Sequence, residues 1–313
     1  MRLALTLMVA VAAAAGCGVH PVASDLEITG VRLGNTIMSQ NRLEPDDTVM
    51  IVAHRGYACC FPENTLPAIA GAWEVGADAI EIDVSMTADG APVLMHDLTV
   101  DRTTNGSGTV RSLTAEEIRA LDACTWFGRG WRRCKVPYLR EALAGIQGKG
   151  KVVLDIKGRL SEAEMTQVLD LVREAGLVEN TLLISFDFNN VRLARRLDSK
   201  IRVSHIAPDS MSLRALAEMG NAFVVFNKDT LFSRPYLMDA ARRWNLEVGA
   251  YTTTSLSEAR ELIRMGVRIL LTDIPFGRPE PKDRAPAGVP GPDNAVLGQW
   301  VRLEARDGTN PVN

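Results

Sequence analysis

Ala79-Ile80-Glu81-Ile82-Asp83-Val84 sets two carboxylates two residues apart inside an otherwise apolar, partly β-branched run. In a strand, residues i and i+2 point to the same side, so Glu81 and Asp83 share a face. Ionised carboxylates are costly to bury unless they are paired or bound to a cation. A strand that spends two core positions on acids therefore points to a site rather than to packing alone. Three further strand ends repeat the pattern. His54-Arg55-Gly56 closes one apolar run, His96-Asp97 another, and Asp155 with Lys157 closes a third, again at i and i+2.

Outward from this run, short β-branched stretches alternate with helical patterns. The strand candidates are Met50–His54, Ala79–Val84, Val93–His96, Lys151–Ile156, Thr181–Phe186, Arg202–Ile206, Ala222–Phe226, Glu247–Tyr251 and Arg268–Thr272. Helical periodicity falls between most of them, as in Ser161–Glu174, Phe188–Leu197, Met211–Met219 and Ser255–Arg264. Buried strands alternating with helices read as βαβ units and a parallel sheet, and about eight such units predict a closed (β/α)8 TIM-type barrel. Asp89-Gly90 is a hairpin signal, so one of the nine candidates is expected as an antiparallel arm. Asp97 to Tyr138 lacks a βα unit and reads as an excursion inserted after the third strand. The catalytic domain is thus expected over residues 48–278, with residues 18–47 as a tether and 279–313 as a mobile tail.

The N-terminus reads as a targeting segment. Met1-Arg2 precedes an apolar run, Leu3 to Ala15, too short to span a membrane as a mature helix. Ala14-Ala15-Gly16-Cys17 resembles a lipobox, so residues 1–17 are expected as a lipoprotein-type signal peptide, with Cys17 lipidated and the chain anchored in the bacterial cell envelope. A formal charge of −3 argues against broad electrostatic attraction to nucleic acid or to an anionic membrane. An anionic substrate must then be held by a few local cations, and no obligate protein partner is expected. In an oxidising compartment Cys59, Cys60, Cys124 and Cys134 allow three disulfide connectivities; Cys124 with Cys134, flanking a short loop, is the first choice.

Three carboxylates converging at strand ends suit one hard divalent cation, Mg²⁺ or Ca²⁺. In a parallel barrel those ends form a single face, where active sites are built. Taken alone, Glu81 and Asp83 could pair with Arg55 and Lys157 as a structural network. The whole set of His, Arg, Glu, Asp, His, Asp and Lys at successive strand ends favours catalysis.

The ordered set His54-Arg55-Gly56, Pro62-Glu63-Asn64-Thr65, Glu81-Ile82-Asp83-Val84, Asp89-Gly90, His96-Asp97 and Arg102-Thr103-Thr104-Asn105-Gly106 resembles the glycerophosphodiester phosphodiesterases. The likeness continues through Trp126-Phe127, Asp155-Ile156-Lys157, Ser185-Phe186 and Leu271-Thr272-Asp273-Ile274-Pro275. It implies a phosphatidylinositol-phospholipase-type barrel and metal-dependent hydrolysis of a glycerophosphodiester to glycerol 3-phosphate and an alcohol. By position, His54 and His96 match the acid–base pair, Glu81, Asp83 and Asp155 the metal ligands, and Arg55 and Lys157 the phosphate-neutralising cations. Glu63 is expected to support Arg55, and Tyr251 to line the substrate wall. Two positions depart from the family pattern: Asp155 stands where Glu is usual, as in related sphingomyelinase D enzymes, and Tyr251 where Trp is common. A lysophospholipase D or sphingomyelinase D-like activity on lipids is therefore the rival reading, and a non-catalytic phosphodiester-binding lipoprotein the second. Deaminase- or aldolase-type barrels lack their lysine or His–Cys patterns here. His205 reads as a hydrogen-bonded barrel residue and His20 as part of the tether. Arg129-Gly130-Trp131-Arg132-Arg133 reads as a solvated loop tip, although basic plus aromatic residues also suit lipid headgroups.

Overall fold

A computed structural model of the chain describes residues 23–44, 48–128, 130–206 and 209–277. The expected targeting segment, Cys17, His20 and the expected tail lie outside the described residues. Eight parallel strands close into a ring: β1 (Met50–Ala53), β2 (Ala79–Met86), β4 (Lys151–Ile156), β5 (Thr181–Ser185), β6 (Arg202–Ile206), β7 (Ala222–Asn227), β8 (Glu247–Thr253) and β9 (Ile269–Thr272). β1 pairs with both β2 and β9, which completes the closure. β3 (Pro92–Leu94) is the antiparallel arm expected from Asp89-Gly90 and pairs along β2 from Val84↔Leu94 to Met86↔Pro92.

Helices α2 (Leu66–Glu74), α4 (Leu139–Ile146), α5 (Glu162–Glu174), α6 (Phe188–Leu197), α7 (Ser210–Met219), the pair α8 (Lys228–Ser233) and α9 (Tyr236–Arg243), and α10 (Leu256–Met265) return the chain between strands. Local sequence explains their starts. Thr65, Ser161, Asp187, Asp209, Asn227 and Ser255 each accept a backbone N–H in the first turn. The larger core packs these helices on the outer face of the ring, and a second cluster, including Val52, Val153, Ile184, Val225 and Leu271, fills the ring itself. Residues 95–138 form the excursion, with only the short α3 (Ala115–Arg119) and 3₁₀ turns. Its own small core includes Val100, Val110 and Ile118, and it is stapled by a Cys124–Cys134 disulfide with Cα atoms 5.4 Å apart. Cys59 and Cys60 are free.

The expected tether is corrected over most of its described length. Ala23–Gln40 forms α1, and Val31, Ile37 and Met38 pack on the main core. Gly30 and Gly34 explain why this was hard to see. A Cβ at Gly30 would lie 2.8 Å from Phe61 Cε1, and one at Gly34 2.7 Å from Val75 Cγ2. Beside Val31, Ile37 and Met38, the closest contacts of the helix are made at two glycines, which add no apolar side chain to its periodicity and have poor helix propensity.

Candidate active site

His54 follows the last residue of β1 and opens a tight 3₁₀ turn in which Arg55 and Gly56 both have positive φ, 52° and 81°. A Cβ on Gly56 would sit 2.7 Å from the Ala68 Cβ of α2, so the turn needs glycine there. The turn lets consecutive residues serve one site. The Arg55 backbone N–H donates to Glu81 Oε2 at 2.8 Å, and its guanidinium reaches Glu63 at 2.9 Å and Asp83 at 3.3 Å. Burial disfavours the Arg55 charge, but Asp83, Glu63 and Glu81 outweigh it, and the pKa is raised.

Glu81 and Asp83 point inward from β2, and Asp155 is paired directly with Asp83 across the β2–β4 register. All three are buried, and one carboxylate oxygen from each lies within 4.8 Å of the others. Asn64, itself at φ 57°, donates to Asp83 Oδ2 at 2.6 Å and accepts the Asp83 N–H at 3.0 Å. Lys157 Nζ lies 2.6 Å from Asp155 and 2.9 Å from Asp83. Burial, then Asp83 and Asp155, push Glu81 well above the usual carboxylate range. Burial likewise raises Asp155 to about 6, against the pull of Lys157. Asp83 goes the other way: burial opposes its charge, but Lys157 and Arg55 hold its pKa below normal.

These residues fit a divalent cation. Asp155 Oδ1 is fully buried and has no hydrogen-bond partner, and Asp83 Oδ1 has only the ion-pair approach of Lys157. Unpartnered carboxylate oxygens gathered in one spot are what a hard, oxygen-seeking ion neutralises. The donor set is all oxygen, with no thiolate and no imidazole, unlike that of a structural zinc site.

Each histidine is held by a carboxylate. His54 Nδ1 lies 2.7 Å from Asp273 Oδ1, and His96 Nδ1 2.6 Å from Asp97 Oδ1. An ionised carboxylate only accepts, so both Nδ1 atoms carry the proton and both Nε2 atoms are left for the cavity. Asp97 in turn accepts from Arg102, which also donates twice to Glu63 at 2.8 Å. Glu63 therefore bridges Arg55 and Arg102. Hydrogen bonds from Arg102, then burial working against them, leave Asp97 at about 2. Burial lowers the His96 pKa, and the nearby Asp83 carboxylate only partly offsets this.

His54, His96, Arg55, Glu81, Asp155 and Lys157 line one cavity of about 320 Å³ at the C-terminal ends of the strands. Phe186 and Tyr251 stand edge to face across its far wall, with ring centroids 6.3 Å apart. A larger hollow of about 590 Å³ along α5 and α6, lined by Glu162, Arg192, Arg196 and Met219, gathers no acid–base set. Chemistry rather than size therefore identifies the site. His205 lies outside the catalytic cavity's lining, with Nε2 3.1 Å from the Phe186 carbonyl and its ring against Phe188. Residues to which the sequence assigned no role are Asp273, Asp97, Arg102 and Asn64. Their only signal was membership of the Pro62–Thr65 motif, for Asn64, and of the motifs around His96 and after β9 for the others.

The profile of the glycerophosphoryl diester phosphodiesterase family matches residues 54–276. A glycerophosphodiester phosphodiesterase of Caldanaerobacter subterraneus is 32% identical over 72% of this chain and 94% of its own length. The crystal structure of a glycerophosphodiester phosphodiesterase from Agrobacterium tumefaciens superposes with a TM-score of 0.64 at 30% identity, covering 72% of this chain and 97% of that one. An Oleispira antarctica phosphodiesterase, solved in complex with the product sn-glycerol-3-phosphate, gives 0.66 at 26% identity, with 72% and 93% covered. With its barrel, its paired histidines and its acidic cluster, the chain belongs to the glycerophosphoryl diester phosphodiesterase family.

Proposed function

We propose that the chain hydrolyses glycerophosphodiesters to glycerol 3-phosphate and an alcohol, with His54 and His96 as the acid–base pair. The observation that carries this is the shared cavity: two imidazoles, each with Nδ1 engaged by an aspartate, flank three buried carboxylates and two cations. Arg55 and Lys157 offset the charge of the phosphate, the electrostatic contribution expected to dominate such a reaction. One histidine takes the proton of the attacking oxygen through a neutral Nε2, and the other, entering the reaction doubly protonated, delivers its Nε2 proton to the departing alkoxide. Glu81, Asp83 and Asp155 would hold Mg²⁺ or Ca²⁺, which supplies further positive charge at the phosphate when bound. Glu63 ties Arg55 to Arg102 and so fixes where the guanidinium points, while Tyr251 and Phe186 wall the non-reacting part of the substrate.

Turnover of a panel of glycerophosphodiesters, with chelator and with added Mg²⁺ or Ca²⁺, tests the reading. Metal-dependent release of glycerol 3-phosphate is expected. Preference for lysophosphatidylcholine over glycerophosphocholine would transfer the assignment to a lysophospholipase D, and absence of turnover with either would leave a binding protein.

The same proposal puts the enzyme in the cell envelope, anchored through Cys17. Cys17→Ala is expected to move the protein out of the membrane fraction; an unchanged distribution would remove the anchor from the account.

A further inference from the structure

Two features of the mouth of the barrel lie outside the acid–base and metal-binding set. The first is exposed apolar surface. Leu98 is 68% exposed, Met211 81%, Phe186 55% and Trp126 38%. Phe186 directly follows β5, Met211 opens the first turn of α7 after β6, and Leu98 and Trp126 lie in the excursion. All four therefore belong to segments that follow strand ends on the catalytic side. Exposed Arg132, Arg133 and Lys135 lie close in sequence to Trp126. At the opposite end the connecting loops expose Gln147, Lys149, Ser199 and Lys200, with Trp244 the large apolar side chain among the described residues there.

The second feature is the direction of α1. Gly30 abuts Phe61, which also crosses Gly71 of α2, and Gly34 abuts Val75 just past the end of α2. Four residues along α1 therefore match four along α2, and the two helices run the same way. Since α2 leaves the mouth at Leu66 and descends, α1 also descends. Its start, Ala23, lies seven residues before Gly30, about 10 Å further back toward the mouth. Cys17 precedes Ala23 by six residues, a reach of about 20 Å at most.

We infer that the catalytic face is set against a lipid bilayer, with the N-terminal segment leading to the membrane from the same side as the mouth. The rim supplies what an interfacial contact uses: apolar side chains to enter the headgroup boundary and cations beside them for anionic lipid. Within the Arg129-Gly130-Trp131-Arg132-Arg133 stretch, Arg132 and Arg133 are thereby assigned to headgroup contact in place of a solvated tip, while Trp131 packs on Phe61 and Phe127. Orientation is the content of the inference, and it stands whichever phosphodiester is hydrolysed.

Hydrogen–deuterium exchange of the full chain, with and without vesicles of phosphatidylethanolamine and phosphatidylglycerol, tests it. Vesicle-induced protection is expected at residues 97–131, 186–190 and 209–213. Protection confined to residues before 30, protection at the opposite loops, or no protection at all would each overturn the inference. As a second measurement, Leu98→Asp with Met211→Asp should lower that vesicle-induced protection about tenfold, because each removes an apolar side chain from the contact. Hydrolysis of a water-soluble glycerophosphodiester by the same variant should be unchanged. Undiminished protection in a folded, active double variant would also sink the idea.

Discussion

His54 and His96 make the same hydrogen bond with different surroundings. His54 is held by Asp273, which follows β9, so its partner comes from the last strand of the ring; the side chain is 14% exposed. His96 is held by its own neighbour, Asp97, inside the excursion, and is 33% exposed. The first dyad is thus part of the barrel wall. The second is wired through Arg102 and Glu63 to Arg55. Two imidazoles can share one reaction only if they do different jobs, and this contrast suggests how they divide it. The less exposed, wall-mounted histidine stands 3.9 Å from Glu81 beside the acidic cluster, while the other faces out toward solvent and the excursion.

The largest expected effect breaks the pair. His54→Ala and His96→Ala should each lower kcat by about 10³-fold, within the range of general acid–base catalysis. A substrate with a p-nitrophenol leaving group needs no proton at departure. It should restore most of the rate to the variant lacking the acid and none to the variant lacking the base. Equal rescue of both would mean that the two histidines do not divide the work.

Next come the carboxylates. Asp273→Asn and Asp97→Asn keep the shape but remove the acceptor that fixes Nδ1–H. A wrong tautomer leaves Nε2 protonated when a base is required. A loss of about 10²-fold in kcat, at the low end of what general acid–base catalysis contributes, with little change in KM is expected for Asp273→Asn. Asp97→Asn should cost less, because the more exposed His96 can exchange its tautomer through water. The comparison fails if Asp97→Asn proves the more damaging of the two.

The barrel was legible for a physical reason. Strands buried on both faces appear as continuous apolar runs, and polar residues at their C-terminal ends stand out against them. His54, Arg55, Glu81, Asp83, His96, Asp155 and Lys157 were therefore identified from those runs, and the structure brings them into one cavity or its immediate wall. The partners were not legible. Asp273 is 219 residues from His54, and Arg102 is 39 from Glu63, separations that only the closed ring and the folded excursion bring together. α1 was weakly legible because two of its closest contacts are glycines, which weaken the apolar pattern that Val31, Ile37 and Met38 begin.

A third prediction sharpens the contrast between the acidic cluster beside His54 and the paired carboxylates near His96. Without a metal, Asp155 titrates at about 6 and Glu81 is also raised. The unfolded chain releases these protons near pH 4. The native state thus binds more protons between about pH 4 and 6, and stability from these groups is present below that window and lost as pH rises through it. Asp97, held at about 2, contributes in the opposite sense: its stability is present above pH 4 and lost on acidification. The lowered His96 pKa adds stability as pH rises over the same range, so the readout is the metal-induced shift: added Mg²⁺ or Ca²⁺ should raise the melting temperature more at pH 7 than at pH 5. A metal-induced shift independent of pH would show that the ion does not displace those protons.

The smallest effect is expected from Arg102→Met. Arg102 is 44% exposed, so its ion pairs are partly screened, yet it bridges Asp97 and the buried Glu63. Glu63 keeps its bond to Arg55 when Arg102 is lost, so no carboxylate is stranded. A stability loss of about 1 kcal/mol is expected by chemical denaturation, in line with partly exposed charge-assisted hydrogen bonds. Activity should fall more than stability suggests, because Arg102 links the support of His96 to that of the phosphate-facing Arg55. Removing it loosens both at once, whereas His54 and Asp273 stand outside that chain of bonds. Pairing Arg102→Met with Asp97→Asn should give less than the product of the single losses in kcat. Pairing it with Asp273→Asn should give the full product. Multiplicative losses in both pairs would mean that the two dyads differ in position only, and not in how they are wired.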